Sequence, residues 1–226
     1  MALGPGGALL DDSLRILAEQ LTPPALACVG SMRAARAGNT VVAVWWSPRA
    51  DSSVRLLSAR TTNGGRDWSD VAPVDTTDRS AMGCHHTAPA IAADSASGYV
   101  HVTYALLAEE GPGLFFAHSM DGGITFHSPV PIIYGERLGN TSVAASGGHV
   151  VVAFEDPNSR TPRIGLALSR TMGHIFEDRM LPVSDDNGSA TQPLVAVRGH
   201  RVTVAWRDGS TSTRGAVLHV RDGTIH

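Results

Sequence analysis

The sequence of 226 residues contains no lysine: its eighteen basic positions are all arginine, scattered singly along the chain, and the formal net charge is −3. Counterion-driven binding to a phosphate backbone needs a dense cationic stripe, so nucleic acid is excluded as the expected partner. No apolar run approaches the roughly 18 residues of a membrane-crossing helix, so no membrane span is predicted. Residues 1–28 carry Asp11, Asp12 and Glu19 where a secretory leader carries a basic segment followed by an apolar one, and no export signal is visible. Ala25-Leu26-Ala27-Cys28 is a poor lipoprotein site, because Pro23 and Pro24 interrupt the apolar segment before it. Two cysteines, Cys28 and Cys84, are too few for a disulfide framework but enough for one bridge. There is no phosphate-binding glycine loop after a strand and no motif pairing a serine nucleophile with a histidine. No cofactor is called for.

What the chain does have is 42% hydrophobic content, 24 glycines and 13 prolines, the composition of a turn-rich fold with a packed core. Runs rich in β-branched and aromatic residues begin at Thr40, Tyr99, His149 and Arg201, about 50 to 60 residues apart, and each reads as a strand. A shorter apolar stretch precedes each run, as Ala90–Ala93 precedes Gly98. After each comes a polar loop, a third strand, and a glycine-centred turn ending in an aromatic: Asn63-Gly64-Gly65 to Trp68, Ser119 to Phe126, and Ser169 to Phe176 around Gly173. The fourth is read as shortened to Val220–Thr224. A fourth strand follows in the first three units: Ala72–Val74, Val130–Ile133, Met180–Val183. Four strands per unit, with helical spacing only at Leu14, Leu17 and Leu21, predict an all-β propeller of four-stranded antiparallel blades, about four of them over residues 28–226. A β-sandwich also has many short strands, but gives no reason for one turn to recur at blade spacing.

Ser119-x-Asp121-x-Gly123-x-Thr125-Phe126 resembles the Asp-box, or bacterial neuraminidase repeat, of sialidases and similar propellers, with degenerate copies at Asn63, Gly65 and Trp68 and at Gly173 and Phe176. In such a hairpin the carboxylate accepts turn amides, glycine supplies a positive φ, and the aromatic packs between blades. These residues are structural. They place any ligand on the opposite face, where the loops joining strands two to three, and one blade to the next, come together. Those loops hold Asp78, Arg79, His85 and His86; Tyr134, Glu136, Arg137 and Asn140; Asp156 and Arg160; Gln192; and Arg207 and Asp208.

The resemblance to sialidases implies three arginines on a substrate carboxylate, a tyrosine nucleophile activated by a glutamate, and an aspartate acid/base. Tyr134 and Glu136 share one inter-blade loop and Asp78 lies in the preceding one, which makes these three the catalytic candidates. The family's Arg-Ile-Pro signature has no match, since Arg163-Ile164 is followed by Gly165 and lies on a third strand. The arginine triad is therefore not carried over. Arg79, His85, His86, Arg137, Asn140, Asp156, Arg160, Gln192, Arg207 and Asp208 are candidates for binding a glycan or small ligand. The leading expectation is a sialidase-like binding module, with an exo-sialidase-type hydrolase and a structural interaction domain as the alternatives.

Cys28 and Cys84 fall near equivalent inner-strand positions of neighbouring blades. Three readings stand: two buried residues beside surface histidines, a disulfide, or two thiolates and His85 or His86 on a soft metal. Trp45, Trp46 and Trp206 read as core, with Trp46 or Trp206 also placed to stack on a sugar. Residues 1–27 are read as a separate segment, in which Leu14–Glu19 forms either a local helix or the outer strand closing the last blade. The chain then closes a four-bladed ring, or is a fragment of a six-bladed one. Family resemblance points to a secreted or periplasmic protein; oligomeric state is not set by the sequence.

Overall fold

The computed structural model describes residues 2–3, 9–10, 27–177, 180–184, 189–208 and 217–226. Two short strands, β1 (Ala2–Leu3) and β2 (Leu9–Leu10), pair with each other; the segment Leu14–Glu19 lies outside the described residues. The rest is built of antiparallel meanders. Blade I is β3 (Arg33–Ala37), β4 (Thr40–Pro48), β5 (Val54–Thr61) and β6 (Ala72–Asp75). Blade II is β7 (Ala90–Ala93), β8 (Val100–Ala108), β9 (Gly111–Ser119) and β10 (Val130–Tyr134). Blade III is β11 (Thr141–Ser146), β12 (His149–Glu155), β13 (Ile164–Ser169) and β14 (Leu181–Pro182). Blade IV has three strands, β15 (Ala190–Arg198), β16 (Arg201–Asp208) and β17 (Leu218–Thr224).

Successive side chains on a strand point to opposite faces, so each central strand serves two cores. In β12, Val150, Val152 and Phe154 pack with Leu114 and Phe116 of blade II, while Val151 and Ala153 pack with Val204 and Trp206 of blade IV. The boundary between blades I and II is filled by Val42, Val44, Trp46 and Leu56 against Val100, Val102, Tyr104 and Leu106. The innermost strands lie side by side in chain order, β3 against β7, β7 against β11, and β11 against β15. Trp45, Trp46 and Trp206 are buried, which removes the two tryptophans considered as sugar platforms.

The three glycine turns share one hydrogen-bonding scheme. The hydroxyls of Thr61, Ser119 and Ser169 accept the amides of Gly65 (3.0 Å), Gly123 (2.8 Å) and Gly173 (3.0 Å). Two residues further on, side-chain oxygens of Asn63, Asp121 and Thr171 accept the amides of Asp67 (3.1 Å), Thr125 (2.9 Å) and Ile175 (2.9 Å). Burial pushes the Asp121 carboxyl up, but bonds from Thr125, Ser119 and Ile124 outweigh it and hold it at about 2. The glycines have φ of +88°, +86° and +88°, a region closed to most side chains. A Cβ on Gly123 would lie 2.9 Å from a Val42 methyl, and one on Gly173 would lie 2.6 Å from the Phe116 ring. The second and third turns thus rest on the preceding blade, while Gly65 approaches only Trp68 of its own turn. The closing aromatics follow suit, Phe126 packing on the blade I/II core and Phe176 on the blade II/III core. Val220–Thr224, expected as a fourth such turn, is instead the body of β17: Gly223 pairs with Val202 and Val220 with Ala205, so these residues continue a ladder.

Blades I and II are also joined covalently. Cys28 and Cys84 form a disulfide, with Cα atoms 5.2 Å apart. Cys84 lies in a 3-10 turn, Gly83–His85, rather than at the start of the inner strand, which begins only at Ala90 after Pro89. The thiolate-metal reading is thereby removed. Beside the bridge, Trp46 Nε1 donates to the Thr87 carbonyl (2.8 Å) and Tyr104 OH donates to Asp75 (2.7 Å) across the boundary.

Two expectations follow. Gly173→Ala combines a forbidden φ with an overlap on Phe116 and should cost about 3 kcal/mol, whereas Gly64→Ala, at a positive φ but in open space, should cost about 1 kcal/mol, read from urea unfolding midpoints. Cys84→Ser opens a loop with a sequence separation of 56 and should lower stability by about 2–4 kcal/mol in the same assay.

Candidate functional site

Because the inner strands run side by side in one sense, their first residues gather at the end away from the glycine turns. A cleft of about 670 Å³ lies there. It is lined by Arg33 of β3, Ala90 and Ile91 of β7, Asn140 to Val143 at the start of β11, Gln192 to Leu194 of β15, and Arg207 of β16. Arg33, Asn140, Gln192 and Arg207 are solvent-exposed. Arg33 is steadied by its own turn, Nη1 donating to the carbonyls of Gly30 (3.2 Å) and Met32 (2.8 Å). The lining therefore offers two guanidinium groups, two amides and the Thr141 and Ser142 hydroxyls over an apolar floor, and among the described residues it includes no carboxylate and no tyrosine.

One carboxylate just behind the lining sets its shape. Glu155, the last residue of β12, accepts from Asn140 Nδ2 (2.8 Å) and from the Gln192 backbone amide (2.8 Å) through the same oxygen. It thereby ties the start of blade III to the start of blade IV. A Cβ on Gly139 would overlap the Glu155 carboxylate, so the close approach requires glycine. Gln192 has a φ of +54° and sits where the register between β15 and β16 shifts, between Thr191 and Leu194. A left-handed non-glycine residue costs of order 1–3 kcal/mol, and such outliers concentrate at binding sites. Ser142 adds a second tie, its hydroxyl accepting the Val195 amide (3.1 Å).

The other sequence-predicted residues fall into two groups outside this lining. At the blade I/II boundary, Asp78 is buried and accepts the amides of Val54 (3.0 Å) and Ser80 (3.2 Å), with His86 Nε2 at 3.3 Å. Burial pushes its carboxyl up, but hydrogen bonds from His86, Val54 and Ser80 prevail and hold it below the ordinary carboxylate range. Ser80 Oγ lies 2.8 Å from the same His86 nitrogen, so Ser80 and Asp78 compete for one ring position rather than flanking the imidazole as a catalytic triad does. His86 is buried beside Trp46, contrary to the surface pair considered above, while His85 is exposed. Arg79 pairs with Glu109 at 2.6 Å on the surface.

Between blades II and III, Tyr134 ends β10 with its ring edge-on to Phe115 and its carbonyl accepting from Asn158 Nδ2 (2.8 Å). Arg137 Nη1 donates to the Arg160 carbonyl (2.5 Å), and Asp156 caps the Asn158 amide (2.9 Å). Glu136 is exposed, and among the described residues it makes no hydrogen bond or ion pair with Tyr134. Asp208 lies 3.8 Å from His219. Thus Asn140, Gln192 and Arg207 meet at the cleft, whereas among the described residues no hydrogen bond or ion pair joins Tyr134, Glu136 and Asp78 to one another.

The nearest approach to a tyrosine–carboxylate pair is Tyr104 with Asp75. Burial first, and then the Asp75 charge, push the Tyr104 phenol well above its ordinary value, which suits a buried hydrogen-bond donor and not a nucleophile. Among the described residues no group of three or more His, Cys, Asp or Glu side chains is placed to hold a metal ion, and no helix is long and apolar enough to cross a membrane. Sequence reasoning passed over Arg33 and Glu155. Arg33 carried a signal, as a charge at the very start of an inner strand; the role of Glu155 depends on partners 15 and 37 positions away.

No protein-family model and no curated protein matches the chain. Solved structures do. The chain is similar to Hadza microbial sialidase Hz136 at 17% identity and a TM-score of 0.58, over 85% of this chain and 44% of that one. It is similar to Trypanosoma rangeli sialidase, solved as a covalent intermediate with 2,3-difluorosialic acid, at 9% identity and a TM-score of 0.58, over 84% and 35%. It is also similar to Bacteroides ovatus xyloglucan PUL GH43B, at 12% identity and a TM-score of 0.53, over 88% and 39%. The chain spans less than half the length of each. At these identities the likeness is one of fold, that of propeller glycoside hydrolases including sialidases, and the described sheets do not close a ring.

Removing the Glu155 carboxylate should loosen the cleft. Glu155→Ala breaks two solvent-exposed hydrogen bonds, whose donors water then satisfies, and should cost about 1 kcal/mol, and Glu155→Gln, which keeps an acceptor oxygen, about half of that, both measured by urea unfolding.

Proposed function

We propose that this chain is a glycan-binding unit of sialidase-like propeller design, with Asp-box turns on one face and, on the other, a cleft that takes a carboxylate-bearing sugar. The observation that carries the reading is the composition of the cleft: Arg33 and Arg207 line it with Asn140 and Gln192, and among the described residues no acidic side chain lines it with them. Guanidinium forks suit a carboxylate, and amides and hydroxyls suit sugar hydroxyls. Binding is favoured over hydrolysis because glycoside cleavage needs an acid and a nucleophile or base at the scissile bond. Among the described residues the lining holds neither a carboxyl nor a phenol, and Tyr134, Glu136 and Asp78 are not part of it. The hydrolase reading draws its support from the kind of enzyme the neighbouring folds belong to.

Isothermal titration of the purified chain with sialosides, uronic acids and neutral sugars tests this. Binding of an acidic sugar that weakens with salt, and falls about 10-fold or more in Arg33→Ala and in Arg207→Ala, is the expected result. Equal affinity for neutral sugars, unaffected by either substitution, would sink the proposal. Turnover of a sialoside that is lost in Glu136→Gln would establish the hydrolase instead.

A further inference from the structure

The face bearing the glycine turns carries a feature that sugar binding does not use. His101 on β8, His118 on β9, His127 in the loop after β9, and His174 in the blade III turn come together with Tyr99 at the boundary between blades II and III. The His118 ring stacks on His127 with centroids 4.6 Å apart and meets His174 edge-on at 4.7 Å. Tyr99 stacks on His118 at 6.2 Å and meets His174 edge-on at 6.1 Å. Beneath them His101, with no exposed surface, stacks on Phe116 at 5.8 Å. Neither ring nitrogen of His101 has a hydrogen-bond partner, and Nε2 of His118 has none.

We propose that this cluster is an acid-operated latch: neutral imidazoles close blade III's Ser169–Phe176 turn onto blade II, and proton uptake on acidification releases it. Neutral aromatic rings pack well at these spacings, whereas neighbouring imidazolium ions repel and, when buried, lose their hydration. Among the described residues little counter-charge faces them. Asp94, in the turn before β8, favours a proton on His101, but its carboxylate already accepts the Ser97 hydroxyl (2.7 Å) and the Ser97 amide (3.1 Å). Asp121 is held within its own turn, and Arg170 and Glu177 beside His174 pair with each other. From the β11–β12 turn, Gly148 offers only a backbone carbonyl, to the Met172 amide (2.9 Å), and the adjacent His149 packs on His200.

The latch lies over a point where the blades touch most closely. Gly173, next to His174, rests on Phe116, and a Cβ there would also come within 3.5 Å of His101 Nδ1. Burial first, and then the neighbouring imidazoles, hold both His101 and His118 down at about 4. These values lie below the ordinary 6.5, so the opened form takes up protons first. The closed interface is fully favoured above about pH 6.5 and loses that advantage as pH falls toward 4.

Hydrogen exchange of the full chain at about pH 7 and about pH 5, corrected for intrinsic rates, reads the latch directly. The expected result is an opening equilibrium at residues 116–127 and 168–177 that rises about 20-fold per titrating histidine between the two pH values, with residues 40–61, near the disulfide, unchanged. His101→Gln and His118→Gln should each flatten that dependence. Should a variant fail to fold, NMR titration of the histidine ring protons in the unaltered chain decides the matter. Two rings that resist protonation well below their ordinary value, and then titrate together with opening, support the latch. An acid response shared evenly by all blades, or His101 and His118 titrating normally without local opening, overturns it.

Discussion

Most of this molecule's core lies between blades; among the described residues, the face of blade I turned away from blade II is the exception, Ala43, Trp45, Leu57 and Ala59 packing there with Trp68 and Val71 of the same blade. A single antiparallel meander buries little until a neighbour covers it, and here the boundaries between blades are sealed by alternate residues of strands whose other residues serve the next boundary. The glycines at the turns set how closely that sealing can be done. With no Cβ at Gly123 and Gly173, the turn backbone lies directly on Val42 and Phe116 of the preceding blade. The step from blade I to II and the step from II to III are therefore built on the same contact.

That regular step has two products at opposite ends of the strands. At one end the inner strands begin side by side, and residues distant in sequence become the lining of a single cleft. Glu155 holds two of them, and the left-handed backbone of Gln192 is strain that its bond to Glu155 keeps in place. At the other end, turns of neighbouring blades come into contact, and blades II and III fill the contact with histidines. The same geometry that gathers polar groups in the cleft gathers histidines at the other end, His101 and His118 buried beneath the exposed His127 and His174.

The chain's charge economy sharpens this contrast. With no lysine and only scattered arginines, most charges are absorbed locally: Asp121 in its turn, Asp78 among backbone amides and His86, Arg79 on Glu109. Among the described residues of the cleft, Arg207 is left facing space, and Arg33 is tied only to backbone carbonyls of its own turn.

The meander was legible in the residues. β-Branched runs, the spacing of Gly65, Gly123 and Gly173, and the hydroxyl and amide side chains ahead of each glycine are local signals, because strand pairing and turn capping act within a few residues. The Val220–Thr224 segment misled for the same reason: Asp222-Gly223 is a turn signal by itself, and pairing with β16 overrides it. What only the tertiary structure decided are relations across blades. They are that Cys28 and Cys84 bridge, that Asn140, Gln192 and Arg207 share a wall while Tyr134, Glu136 and Asp78 do not, that Glu155 acts on two blades, and that four histidines spread over residues 101 to 174 form one cluster. The physical reason is that side-chain encounters between blades depend on the angle and distance at which sheets pack, and those follow from the summed volumes of a shared core that no single segment of the sequence contains.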